Sequence, residues 1–78
     1  MSWTHERLAA FLDKKEIPSD SYSFCLPKDD AFCIVKDRDM WLVYFSERGH
    51  RDELAWGKTE AQALNILKLF LLEACKKN

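Results

Sequence analysis

The sequence predicts an α+β domain with the element order αβββα, a three-stranded antiparallel meander with two helices packed on it. Three observations predict this. Apolar residues recur at helical spacing near both ends of the chain, from Trp3 to Lys15 and from Glu60 to about Lys76. Between Ala31 and Trp56 the period changes to two, interrupted by two charged turns. The chain has 78 residues, room for one domain (1–78) with a small core in which every large apolar side chain counts.

The first helix has Ser2 or Thr4 as a cap, and Glu6 in its first turn suits the helix dipole. Leu8, Phe11 and Leu12 form its apolar stripe, and Lys14 and Lys15 close it. The segment Ile17-Pro18-Ser19-Asp20-Ser21 breaks it, since the residue before proline is pushed out of the α region. Tyr22 to Leu26, ended by Pro27, reads as an edge strand or as an ordered loop. Ala31 to Lys36 reads as a strand, with Phe32 and Ile34 on one face and Cys33 and Val35 on the other. Asp37-Arg38-Asp39 turns the chain into a second strand, Met40 to Phe45. Its faces, Met40/Leu42/Tyr44 and Trp41/Val43/Phe45, are both apolar, which makes it central.

Ser46-Glu47-Arg48-Gly49 forms the next turn, with Gly49 supplying a positive φ and Arg48 expected to tie to a carboxylate such as Glu60. The third strand, Arg51 to Trp56, is more polar, as suits an edge protected from pairing. Leu54 and Trp56 share one of its faces. Thr59-Glu60-Ala61-Gln62 has the spacing of a capping box and starts the last helix. Its core stripe is Ala63, Leu64, Leu67, Leu71, Ala74 and Cys75, flanked by Phe70. Leu69 and Leu72 fall among its polar residues, so either the first helix or the tail covers them, or a dimer or partner does.

Composition excludes several functions. Twelve Lys and Arg against thirteen Asp and Glu give a net charge of −1, without the basic excess of a nucleic-acid binder. The basic pairs Lys14-Lys15 and Lys76-Lys77 read as helix-end charges. No signal segment is seen, and Ala61 to Cys75 is too short and too polar to span a bilayer, so a cytoplasmic protein with no membrane association is expected. Cys25, Cys33 and Cys75 are odd in number and lack a Cys-x-x-Cys pair, so they read as small hydrophobes. His5 and His50 have no metal-ligand spacing. With two glycines there is no phosphate-binding loop, and no cofactor is expected. Glu47 and His50 flank one turn but lack the nucleophile and orienting group that catalysis needs, so the chain is not expected to be an enzyme.

Protein binding is the class that remains. Three Trp, two Tyr and five Phe are too many for all to be buried in so thin a domain, and exposed Trp and Tyr are the material of hot spots. Asp29 and Asp30 before one strand, and Asp37 and Asp39 after it, read either as turn residues or as an acidic rim steering a basic partner. If both helices pack on one sheet face, the other exposes apolar residues. The candidate partner-binding residues are then Trp41 and Tyr44, beside Trp56, with Asp29, Asp30, Asp37 and Asp39. Leu69 and Leu72 are the candidates for a homodimer through the last helix.

The stretch Trp41-Leu42-Val43-Tyr44-Phe45-Ser46-Glu47-Arg48-Gly49, followed by Trp56-Gly57-Lys58-Thr59-Glu60-Ala61-Gln62-Ala63, resembles small bacterial immunity proteins of polymorphic and contact-dependent toxin systems. Those have a Trp-x-Val-Tyr strand entering a Ser-Glu-Arg-Gly turn, then a short strand, an aromatic residue and a Thr/Ser-x-x-x-Ala helix start. The resemblance covers about residues 31–75; Gln62 stands where those proteins usually carry an acid. It implies a protein that binds a cognate toxin domain and blocks its active site without catalysis or cofactor. It marks Glu47, Arg48, Gly49 and Glu60 as motif residues. The element order also resembles double-stranded-RNA-binding domains, the alternative reading. Those carry lysines at the start of the second helix, where this chain has Thr59-Glu60-Ala61-Gln62-Ala63.

Overall fold

A computed structural model describes residues 3–24, 26 and 28–75. The expectations for Ser2, Cys25, Pro27, Lys76 and Lys77 lie outside the described residues. The order is α1 (His5–Lys14), a single 3-10 turn (Ser19–Ser21), β1 (Tyr22–Phe24), β2 (Ala31–Asp37), β3 (Met40–Glu47), β4 (His50–Gly57) and α2 (Glu60–Ala74). The α+β class is as expected. The three-stranded meander is a correction: the sheet has four strands in the order β1-β2-β3-β4, and β1 is parallel to β2. Tyr22–Phe24 is therefore an edge strand, one of the two forms the sequence left open. A parallel pair ordinarily needs about a dozen linking residues or more, so the short link to Ala31 gave no reason to expect one.

Both helices start on threonine caps. Arg7 N donates to Thr4 Oγ1 at 3.2 Å, and Gln62 N donates to Thr59 Oγ1 at 3.1 Å. Gln62 completes the second cap by accepting from Lys58 N at 2.7 Å, so two amides at the helix entrance are satisfied by neighbouring side chains. The β3–β4 hairpin turns on Arg48 (φ 49) and Gly49 (φ 77), the paired positive φ values of a type I′ turn. Arg38 (φ 58) opens the β2–β3 turn.

Cross-strand register assigns the two sheet faces. On the helix side Ile34 and Val43 join Leu8, Leu12, Ile17, Ala63, Leu64, Leu67 and Leu71 in the main core. Tyr22, Phe24, Phe32 and Trp41 pack around them. Trp3 fastens α1 to α2: its indole Nε1 donates to Asn65 Oδ1 at 3.2 Å, and its ring meets Phe11 edge-on at 5.4 Å. On the far side Ala31, Cys33, Leu42 and Tyr44, with Val35, form a second, smaller cluster. A β-bulge on β4 falls between Val43 and Tyr44 of β3; the register moves from Ala55 to Glu53 and leaves Leu54 as the extra residue.

Gly57 lies where β4 passes under the first turn of α2. A Cβ there would stand 2.8 Å from Ala63 N and 3.0 Å from its Cα. Gly49 has nothing within 4 Å of the same position, so only its positive φ resists a side chain. Gly49→Ala should cost about 1 kcal/mol through the backbone alone. Gly57→Ala should cost more, roughly 1–3 kcal/mol, because α2 must shift off the sheet. Urea unfolding of the two variants checks the order, and a Gly57→Ala protein as stable as the wild type would show that the helix entrance yields freely.

Candidate protein-binding face

The sheet face away from the helices is built of rows across three strands. Val35, Leu42 and Trp56 stand opposite one another, as do Cys33, Tyr44 and Glu53, and Ala31, Ser46 and Arg51. One end of this face is covered. β1 and β2 run parallel, and Lys28 to Asp30, which lead into β2, lie on this side. Cys33 Sγ lies 3.6 Å from Lys28 O. Asp30 N donates to Ser46 O, and Asp29 Oδ1 accepts from Ser46 Oγ at 3.3 Å and from Gly49 N at 3.4 Å. Asp29 thus fastens this segment to the β3–β4 hairpin, while Asp30 (φ 57) shapes its last turn. Nothing local in the sequence announces the Asp29 contacts, which join residues far apart in the chain.

Tyr44 is on this face but only 5% exposed. The Arg51 guanidinium sits over its ring, 4.3 Å from the centroid, a cation–π contact that roofs the middle row. Trp41 is on the opposite face, packed against the main core, so the structure does not bring Trp41 and Tyr44 together.

The other end of the face is open. Asp37, Arg38, Asp39, Met40 and Trp56 line a shallow depression of ≈ 430 Å³. Trp56 is 43% exposed. The carboxylates of Asp37 and Asp39 have no hydrogen bond or ion pair among the described residues. The four aspartates therefore divide: Asp29 and Asp30 belong to the covered end, Asp37 and Asp39 to the open end. Met40 was legible as an apolar strand position, but only the pairing, which sets Leu42 opposite Trp56, shows that it shares this surface with Trp56; the bulge leaves Leu54 unpaired and interrupts the alternation that put Leu54 and Trp56 on one face.

The motif residues are dispersed. Arg48 does not reach Glu60, a correction with a simple cause, since the two lie at opposite ends of β4. Glu60 Oε2 instead lies 3.1 Å from His5 Nε2, whose ring stacks on Phe24 at 4.7 Å. Glu47 pairs in register with His50, but the His50 ring faces Asp52 Oδ1 at 3.6 Å. Leu72 packs against the main core, leaving Leu69, 54% exposed, in an open apolar groove of ≈ 300 Å³ with Ile66, Phe70 and Glu73. Among the described residues, no three His, Cys, Asp or Glu side chains are placed to hold a metal ion. No helix among them is long and apolar enough to cross a membrane.

Comparison with known families, curated proteins and solved structures finds no match to this chain. The functional reading therefore rests on the residues themselves.

The Tyr44 hydroxyl is held above its ordinary value of 10.0, first by burial, then by the neighbouring Cys33, with Arg51 working against both. A raised folded-state pKa means the folded protein keeps its proton while the unfolded chain loses it. The corresponding stability is complete below pH 10 and falls as pH rises from there through the folded-state value. Tyr44→Phe, compared with the wild type by melting at pH 8 and above pH 10, should lose less stability on the alkaline side. Parallel losses in the two proteins would place the alkaline sensitivity elsewhere.

Proposed function

We propose that this protein is an immunity-type binding protein. It would neutralise a cognate bacterial toxin domain by occupying that domain's active site or substrate groove, with no turnover of its own. The observation that carries this reading is the open end of the far sheet face. There an exposed tryptophan and Met40 lie beside two carboxylates with no hydrogen bond or ion pair among the described residues. An aromatic anchor with a charged rim is the composition of a binding hot spot. The turn Ser46-Glu47-Arg48-Gly49 and the capped helix start at Thr59 support the resemblance, because both are structural devices that hold β3, β4 and α2 in place whatever toxin is bound.

The reading assigns Trp56 as the anchor, with Met40 beside it, and Asp37 and Asp39 as groups that steer a basic partner surface. Tyr44, under Arg51, supports the face from below. Asp29 and Asp30 are structural in this assignment, and Trp41 belongs to the core.

Co-expression with the toxin gene encoded beside it should rescue growth and yield a co-purifying complex; failure of both with the correct neighbour would refute the reading. Within that complex, Trp56→Ala should weaken binding by at least about 2 kcal/mol, chiefly through faster dissociation. Asp37→Lys with Asp39→Lys should slow association and reduce its salt dependence. If both variants bind like the wild type while Leu69→Lys abolishes the complex, the partner sits on α2.

A further inference from the structure

We infer that two copies of this chain pair through the outer edge of β4, antiparallel and about a two-fold axis at Asp52, to make one continuous eight-stranded sheet. β4 is one of the two sheet edges, and His50 to Leu54 are all exposed along it. The two-residue turn makes Glu47 and His50 a hydrogen-bonded pair, and such pairs alternate along an antiparallel ladder. The backbone groups of His50 and Asp52 therefore face β3, while those of Arg51 and Glu53 point outward. Neither Arg51 nor Glu53 has a backbone partner outside the ladder among the described residues.

This geometry restricts the registers open to a second copy. Outward groups must meet outward groups, so the axis passes through a residue opposite its own copy. Centring on Arg51 places like charges face to face, and so does centring on Glu53. Centring on Asp52 sets Arg51 opposite Glu53 of the second copy, and Glu53 opposite its Arg51, each a hydrogen-bonded pair. Both side chains lie on the face away from the helices, since they stand across from Ser46 and Tyr44. The salt pairs therefore form on one surface. The single like pair, Asp52 against itself, has His50 3.6 Å from its carboxylate.

An edge guarded by charges of one sign repels its own copy; β4 carries His50-Arg51-Asp52-Glu53, which repels in the wrong registers and attracts in one. Growth stops at two copies. The bulge at Leu54 ends the ladder, and the remaining edge, β1, is only three residues long. All helices fall on one side of the combined sheet. The Trp56 depressions stay open on the other, so this inference does not depend on the proposed toxin binding.

Sedimentation of the full chain over a range of concentrations, at low salt, tests it. A monomer–dimer equilibrium is expected. Arg51→Glu and Glu53→Arg should each raise its dissociation constant at least about tenfold, and the double variant, which restores opposite charges, should recover it. Circular dichroism melting of each variant at low concentration separates misfolding from lost pairing. A second measurement needs no variant: amide exchange at Arg51 and Glu53 should slow as protein concentration rises. A chain monomeric at every concentration overturns the inference. So does a folded double variant that stays as weak as the singles, or a dimer lost on Leu69→Lys and indifferent to the charges.

Discussion

The structure depends on one constraint: β3 is apolar on both faces and must be covered on both. Val43 points into the main core with the helices, while Leu42 and Tyr44 point away from them, and all three are nearly or fully buried. Two helices on one side satisfy half of this requirement. The other half is met by Lys28 to Asp30, leading into β2, at one end, and by Arg51 laid over Tyr44 in the middle. Cover by a loop and one guanidinium is thinner than cover by a helix. It runs out at the row of Val35, Leu42 and Trp56, where Leu42 is sealed by its neighbours and Trp56 remains half in water. The exposed tryptophan is thus the place where an intramolecular solution for β3 ends.

Much of this was legible in residues that act on near neighbours. Thr59 and Gln62 specify the start of α2 by their spacing, and Gly49 specifies its turn. The strands from Ala31 onward follow from alternation, and the two apolar faces of Met40 to Phe45 place that strand at the centre. Tyr22 to Phe24 was only half legible. Three residues are too few to show a period, and their partner strand is parallel, a pairing the connecting length argues against. The site was legible as a kind of surface, apolar and edged by acids, but not in its membership. Which of Trp41 and Tyr44 faces the helices is set by where α1 and α2 dock, a choice that period-two alternation cannot make. Asp29 reads as one of four equivalent acids until the fold brings Ser46 and Gly49 to its carboxylate.

The two glycines illustrate the same division. Gly49 is a local requirement of backbone conformation. Gly57 is a requirement of packing, imposed by Ala63 of the helix that begins three residues later. With Thr59 and Gln62 it forms one joint: the glycine lets α2 approach, the threonine starts it, and the glutamine closes the entrance over Lys58 N. That joint fixes which face of α2 meets the sheet. It therefore determines that Leu64, Leu67 and Leu71 enter the core and that Leu69 does not.

The described residues, measuring 36 × 34 × 19 Å, form one helix layer on one sheet layer. Such a fold leaves one sheet face and the sheet edges to be managed by loops and side chains. On the face, the chain uses a cation over a tyrosine where it closes the surface and a bare tryptophan between carboxylates where it does not. Along β4, it uses charges of both signs rather than a single-sign guard. In a sequence with nearly balanced acids and bases, such local arrangements of charge around apolar groups, rather than the net charge, decide what the surface accepts.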